Sequence, residues 1–184
     1  MNFILEGAGV FIYPLGLCSL VAAFIVFERF FALRASKVVP RPLEEAVIMG
    51  KIPEISDGLE ESSLGRMVYF CRTASPDSDA VKAFAQFEIT RLERGMFLLD
   101  GLVSAAPLLG LLGTVSGLVS VFSGADMPTQ ESISRGVGLA LSTTILGLAI
   151  AIPGILASSF LYRRIDTLGA ALNVCAERLA AAKK

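Results

Sequence analysis

The sequence predicts an all-α membrane protein with three transmembrane helices. The first observation is that three long windows of the 184-residue chain, residues 7–27, 101–125 and 136–162, carry no charged side chain. At about 1.5 Å of rise per residue, helices of this length span a hydrocarbon core of roughly 30 Å. The second observation is that all 16 basic and 17 acidic side chains lie in the remaining segments. A soluble single-domain protein is not expected to distribute its charges in this way.

The residues that the chain lacks exclude several classes of chemistry. There is no histidine, and the three cysteines, Cys18, Cys71 and Cys175, are widely spaced. A histidine-dependent catalytic triad and a Cys/His zinc site are therefore excluded, and reduced thiols are expected. The formal net charge of -1 argues against a nucleic-acid-binding protein. We accordingly predict that the chain is not an enzyme and has no catalytic residues, metal site, cofactor or nucleic-acid partner.

The distribution of Lys and Arg predicts how the chain crosses the lipid bilayer. Residues 28–100 contain ten basic side chains and residues 163–184 contain five, whereas the connection between the second and third windows contains only Arg135. Because short loops rich in Lys and Arg stay in the cytoplasm, the N-terminus should lie outside and the C-terminus in the cytoplasm. The predicted segments are an external N-terminus (1–9), transmembrane helix 1 (10–33), a cytoplasmic helical segment (34–95), transmembrane helix 2 (96–123), an external connection (124–135), transmembrane helix 3 (136–162) and a cytoplasmic C-terminal helix (163–184).

Residues 76–123 are predicted to form one continuous helix. Ser75, Pro76 and Asp77 form a start signal, with a capping residue, proline at the first helical position and acidic residues in the first turn. Apolar residues then recur at helical spacing, and we expect no break before the second window. Such a helix would be roughly 70 Å long and would extend into the cytoplasm as a stalk. An amphipathic helix on the membrane surface is the alternative for its lower part.

Small residues form a stripe along each of the two longer windows. They follow one another at alternating steps of four and three residues, which places them on one face of a helix. In lipid, where burial of apolar side chains gains little, such stripes allow helices to pack closely. Packing of these two helices on each other is the simplest explanation. The packing candidates are Gly110, Gly113, Gly117, Ala140, Gly147 and Ala151.

Hydroxyl side chains at membrane depth form the candidate ion pathway. Thr114 lies in the second window, and Ser142, Thr143 and Thr144 are consecutive in the third. One hydroxyl can bond back to its own helix, but three in succession suggest a face that lines a polar pathway or meets a polar partner. Asp100, at the inner end of the second window, is either snorkelling to the headgroups, paired with a basic residue or marking the inner mouth of the pathway. A proton route would need a carboxylate from another polypeptide.

Three strings of the sequence carry a family resemblance. They are Ala106–Val115 (APLLGLLGTV), Gly147–Pro153 (GLAIAIP) and Tyr162–Asp166 (YRRID). These strings closely resemble the ExbB/TolQ branch of the MotA/TolQ/ExbB family. The specific part of the resemblance covers about residues 91–168. Three spans also fit this branch better than the longer MotA proteins, which have four.

The resemblance implies a stator subunit of the bacterial inner (cytoplasmic) membrane that assembles as a pentamer. Members like this surround a dimer of single-span partners of the ExbD or TolR type, whose transmembrane aspartate carries the proton. Proton flow then drives mechanical work in the periplasm, which would be the external side of the predicted topology. By position, Thr114 and Thr144 match the threonines that line the pore in the family.

One position departs from the family pattern. ExbB and TolQ proteins usually carry a glutamate early in the third span, and Leu139 occupies that place here. This departure leaves three alternatives to a proton-coupled stator for transport or envelope processes. One is a membrane scaffold that does not conduct, and another is a sodium-coupled stator, because hydroxyls and freed carbonyls suit a hard cation. The third is a motility-related stator of the same family.

Overall fold

Every regular element in the described part of the chain is helical. The structure, a computed structural model, describes residues 9–52, 59–123 and 129–182. A short 3-10 helix at Gly9–Phe11 leads into the first long helix, and the last two helices are the longest. The helices are α1 (Ile12–Ala32), α2 (Ala35–Val38), α3 (Arg41–Ile48), α4 (Ser63–Thr73), α5 (Ser78–Leu92), α6 (Met96–Phe122) and α7 (Gln130–Ala181).

Three helical stretches are long and apolar enough to cross a membrane. They are Ile12–Ala32, Ser78–Phe122, which is interrupted at residues 93–95, and Gly136–Ala181. Helices suit this role because their backbone hydrogen bonds are satisfied within the segment, where no water is available to replace them. The prediction of an all-α chain with three long apolar helices is therefore confirmed, and this architecture fits a three-span membrane protein.

The predicted continuous helix over residues 76–123 is wrong, because the helix is interrupted between α5 and α6. Residues 93–95 form a turn, and Gly95 adopts a left-handed backbone conformation with φ of 85°. A Cβ atom disfavours that conformation, so glycine suits the point where one helix ends and the next begins. The amide of Leu99 then donates to the carbonyl of Gly95 at 3.2 Å, in the first turn of α6.

The start of α5 also differs from the predicted signal. Asp77 is the N-terminal cap, since its Oδ1 accepts a hydrogen bond from the amide of Ala80 at 2.8 Å. Pro76 therefore precedes the helix, and Ser75 has a φ of 46°. A carboxylate at this position satisfies a free helix amide and also interacts favourably with the helix dipole, which explains why the cap is Asp77 rather than Ser75.

The described helices belong to two compact units. The first contains described residues of 9–26 and 95–158, and the second contains those of 27–94 and 159–182. In the second unit α4 packs on α5, with Leu64 and Met67 fully buried and the rings of Phe70 and Phe84 stacked at 4.6 Å. The first unit contains most of the charge-free residues of the long helices and all the candidate pathway residues.

A buried ion pair joins α4 to α5 in the second unit. Glu88 is 1% exposed, and its carboxylate accepts hydrogen bonds from Nε of Arg66 at 2.9 Å and from Nη2 of the same guanidinium. Arg66 also donates to the hydroxyl of Ser63 and to the carbonyl of Glu61. Because a two-point contact between guanidinium and carboxylate fixes the orientation of both groups, this pair sets how the two helices pack.

Candidate functional site

The small-residue stripes of α6 and α7 face each other in the first unit. A Cβ atom added at Gly110 would lie 2.8 Å from the carbonyl oxygen of Thr143 and 3.3 Å from Cα of Gly147. One added at Gly147 would lie 2.6 Å from the carbonyl oxygen of Ala106. Side chains do not fit at such distances, so the two backbones approach as closely as only glycine permits.

The close contact between α6 and α7 continues on both sides of this point. A Cβ at Gly113 would lie 2.8 Å from Cβ of Thr143, and one at Gly117 would lie 3.0 Å from Cβ of Ala140. Toward the other end, Ala151 is 1% exposed and packs in a cluster with Ala106. The structure thus brings all six predicted packing residues to this contact.

Helix α1 packs against the same pair of helices. Leu15 is 2% exposed and lies in a cluster with Ala106 and Ala151, where the small side chains leave room for it. The partly buried side chains Leu109, Leu146 and Ile150 surround this cluster. The three apolar helices therefore meet through a leucine of α1 that fills the space above two alanines.

Three threonine hydroxyls meet where α6 and α7 are closest. Oγ1 of Thr114 lies 2.5 Å from Oγ1 of Thr144 and 3.3 Å from Oγ1 of Thr143. All three hydroxyls also lie between 2.9 and 3.3 Å from the carbonyl oxygen of Gly110. We call Thr114, Thr143 and Thr144 the threonine cluster. The absence of a side chain at Gly110 allows this carbonyl of α6 to reach the hydroxyls of α7.

The threonine cluster has more acceptors within reach than protons to donate. The carbonyl oxygen of Ala140 is a second shared acceptor. It lies 2.7 Å from Oγ1 of Thr143 and 3.1 Å from Oγ1 of Thr114. Two carbonyls and three hydroxyl oxygens therefore share three hydroxyl protons, since each hydroxyl carries one. Several donor arrangements fit the same atomic positions. Such a cluster can exchange hydrogen bonds with a water or an ion without becoming charged itself.

The members of the threonine cluster differ in their exposure. Thr143 is 1% exposed and enclosed between the helices, whereas Thr114 and Thr144 are half-buried. Thr143 therefore ties α6 to α7, and Thr114 and Thr144 keep adjacent surfaces that another group can contact.

Ser142 lies outside the threonine cluster. It is 3% exposed and donates to the carbonyl of Gly138 on its own helix at 3.1 Å. Consecutive residues of an α-helix point about 100° apart, so three hydroxyls in succession do not line one face. The structure brings two of the three, Thr143 and Thr144, to Thr114.

Asp100 lies in the second turn of α6, about 21 Å along the helix axis from Thr114 at 1.5 Å per residue. Its Oδ1 accepts a hydrogen bond from the hydroxyl of Ser158 on α7 at 2.6 Å, and Ser158 is 7% exposed. A hydroxyl donor on the neighbouring helix thus helps to stabilise the carboxylate at this end of the apolar pair. The sequence placed Ser158 in the stripe of small residues in the third window but did not predict its hydrogen bond to Asp100.

Around the threonine cluster the polar groups are hydroxyls and carbonyls rather than charged ligands. Among the residues that the structure describes, no group of three or more His, Cys, Asp and Glu side chains could hold a metal ion. Leu139, at the position of the family glutamate, is half-buried next to Ala140. The arrangement is suited to transient hydrogen bonding along a helix pair.

Known proteins resemble this chain over most of the helices described above. The pattern of the MotA/TolQ/ExbB proton channel family matches residues 59–173. A Synechocystis protein named ExbB-like 1 is 35% identical over 161 residues, which are 78% of this chain and 63% of that protein. The biopolymer transport protein exbB1 of Vibrio cholerae is 28% identical over 83% of this chain and 75% of its own length. The Tol-Pal system protein TolQ of Haemophilus influenzae is 36% identical over 44% of this chain and 37% of its own length.

The matched residues include α4, α5, α6 and most of α7, and hence the whole threonine cluster. The chain spans somewhat less than two thirds of the Synechocystis relative. Proteins of the ExbB/TolQ branch are transport-associated channel proteins rather than enzymes. Together with the three apolar helices, these matches confirm the resemblance drawn from the sequence. The chain belongs to the MotA/TolQ/ExbB proton channel family, in its ExbB/TolQ branch, and is a multi-pass membrane protein.

Proposed function

We propose that this chain is an ion-conducting stator subunit that converts proton motive force into mechanical work in the periplasm. The observation that carries the proposal is the threonine cluster, where Thr114 and Thr144 are in contact at 2.5 Å within an apolar helix pair. Membership of a proton channel family and the biopolymer transport proteins among its relatives support it. The chain has no enzymatic role in this proposal.

In this proposal Thr114 and Thr144 contact the moving ion or its water, and Thr143 holds the two helices together. Half-buried hydroxyls with several available acceptors can rearrange their hydrogen bonds at little cost as an ion passes. The electrical driving force is about 2.3 kcal/mol per charge for each 100 mV of membrane potential. Asp100, hydrogen-bonded to Ser158, marks the inner mouth of the pathway.

The titratable carrier in this proposal comes from a partner. Asp100 is the only charged residue of the described parts of 12–26, 96–122 and 136–158, and it lies near one end of α6. A proton that crosses the threonine cluster therefore needs a carboxylate from elsewhere. We propose that a dimer of an ExbD- or TolR-type single-span protein supplies a transmembrane aspartate, and that five copies of this chain surround it.

We further propose an inner-membrane location with the N-terminus in the periplasm and the C-terminus in the cytoplasm. The charge distribution supports this orientation. Its test is labelling in intact cells, in a background without the native cysteines, of Glu131→Cys and Arg178→Cys, which replace exposed residues near the two ends of α7. An impermeant maleimide should label only Glu131→Cys, and labelling of only Arg178→Cys would reverse the topology.

The proposed conduction is tested by ion flux in liposomes that contain this chain together with its single-span partner. We expect acidification driven by a membrane potential in the complex, and none when the partner's transmembrane aspartate is changed to asparagine. This chain reconstituted alone is the matched control and should be silent. A complex that assembles but passes no ion would contradict the proposal.

The second candidate function is a scaffold that oligomerises without conducting. The observation that favours it is Leu139, which stands where the family glutamate is expected, in a helix pair whose hydroxyls also stabilise packing, since Thr143 donates to the carbonyl of Gly110 on α6. The same flux assay separates the two candidates. Repeating it with a sodium gradient at fixed pH distinguishes a sodium-coupled stator, and swimming of a deletion strain tests a role in motility.

A further inference from the structure

We propose that a cavity in the second unit binds the headgroup of an anionic phospholipid. The cavity has a volume of about 280 Å³ and is lined by Ala35, Phe160, Arg163, Arg164, Thr167 and Leu168. The five lining residues of α7 follow one another at alternating steps of three and one, so each lies three or four positions from another member and all five share one face of that helix. We call this space the headgroup cavity.

Two arginines give the headgroup cavity its positive charge. Nε of Arg164 donates to the carbonyl oxygen of Leu33, just after the end of α1, at 2.7 Å, which fixes the guanidinium beside the cavity. Arg163 is exposed and forms no ion pair with any residue in the described ranges. Arginine presents several N–H groups in a planar array that matches phosphate oxygens. An anion with a phosphate group therefore fits the polar side of the cavity.

Within the described part of the chain, no acidic side chain forms an ion pair with the arginines of the headgroup cavity. Arg34 directly precedes the lining residue Ala35 and lies 4.7 Å above the ring of Phe31, which adds a further cation nearby. None of the lining residues is acidic. Glu28, the nearest acid on α1, is paired with Arg29 at 2.9 Å. Asp166 is exposed on α7 but is not among the lining residues.

The apolar wall of the headgroup cavity favours a lipid over a free anion. Phe160 and Leu168 form part of the wall, and the ring of Phe30 stacks on Phe160 with centroids 6.4 Å apart. Arg163 is the first charged residue after the charge-free window that ends at Tyr162, so the cavity lies where α7 is expected to leave the hydrocarbon core. Inorganic phosphate would use the arginines but leave the apolar wall uncovered. A phospholipid uses both.

The test is native mass spectrometry of the full-length protein in detergent, titrated with phosphatidylglycerol or with phosphatidylcholine of the same acyl chains. We expect phosphatidylglycerol to bind at least fivefold more tightly. Arg163→Gln should reduce this preference about fivefold, the effect typical of one basic residue at a membrane surface. Arg178→Gln, which changes another exposed arginine of α7 outside the cavity, should leave the preference unchanged.

A second variant tests the cavity with the opposite charge. Thr167 is exposed and lines the cavity, so Thr167→Glu places a carboxylate there and should weaken the preference at least as much as Arg163→Gln. Equal binding of the two lipids, or an unchanged preference in either variant, would overturn the proposal. Displacement of the bound lipid by millimolar inorganic phosphate would assign the cavity to a free anion and overturn it as well. These experiments measure lipid binding and do not depend on ion conduction.

Discussion

The close contact between α6 and α7 predicts that Gly147→Ala destabilises the protein. The added Cβ would lie 2.6 Å from the carbonyl oxygen of Ala106 and 3.2 Å from Cα of Gly110. Non-bonded heavy atoms prefer separations of about 3.5 Å, so the helices must separate locally by several tenths of an ångström. Overpacking costs about 1 to 3 kcal/mol, and the higher helix propensity of alanine offsets about 1 kcal/mol. Because the obstructing atoms belong to the backbone, we expect a net loss of about 1 to 2 kcal/mol.

The native cysteines provide the assay for this prediction. Cys18, Cys71 and Cys175 are all free and buried, so a fluorogenic maleimide reports their exposure as the protein unfolds on heating. For a chain of this size each kcal/mol shifts Tm by about 2 to 4 °C, so Gly147→Ala should melt about 2 to 8 °C below the parent protein. Gly101→Ala is the matched control in α6, because beyond the adjacent backbone of its own helix no atom lies within 4 Å of its added Cβ.

The control fixes the outcome that would refute this reasoning. Gly101→Ala gains helix propensity without a clash, so its Tm should equal or exceed that of the parent protein. If Gly147→Ala melts at the same temperature as Gly101→Ala, then α6 and α7 are not in direct backbone contact at this point.

Two further predictions concern the second unit. Glu88→Ala leaves Arg66 without its carboxylate partner. Because Arg66 is partly exposed, we expect the free energy of unfolding to fall by about 2 to 3 kcal/mol, which should appear as faster hydrogen exchange in α4 and α5. Unchanged exchange would contradict a structural role for this ion pair. Burial and the nearby Glu44 carboxylate raise the pKa of Cys175 from 9.0 to about 11. The folded state then binds more protons than the unfolded state between these values, so stability should fall as pH rises from about 9 to about 11 and stay unaffected below. Cys175→Ala should remove this contribution to the dependence of Tm on pH, and an identical dependence in both proteins would contradict it.

The features that follow from charge and helical period were predictable from the sequence. Charge-free windows longer than a bilayer's thickness identify the three apolar helices, because a charge in hydrocarbon is costly. The matched spacing of small residues in α6 and α7 indicated their packing, since side chains three and four residues apart share a face. The contact between Thr114 and Thr144 then follows, because both hydroxyls lie beside these stripes.

The features that depend on tertiary contacts were not predictable. Gly95 is compatible with a helix interior as well as with a turn, and nothing local decides between them. Asp77 and Ser75 are both good capping residues two positions apart, and the choice depends on which one reaches a free amide. Arg66 and Glu88 are 22 positions apart, so no helical spacing relates them. The sequence alone could have predicted that Ser142 points in a different direction from Thr143 and Thr144, because consecutive helical residues point about 100° apart.

The most direct measurement of the proposed pathway is ion flux through the reconstituted complex with Thr114→Val beside Thr114→Ser. Valine keeps the shape of threonine but removes the hydroxyl that lies 2.5 Å from Thr144, whereas serine keeps the hydroxyl. We predict that Thr114→Val assembles normally and loses at least about tenfold in flux, while Thr114→Ser retains most of it. Flux of the parent protein's magnitude in an assembled Thr114→Val complex would contradict a role for the threonine cluster in ion conduction.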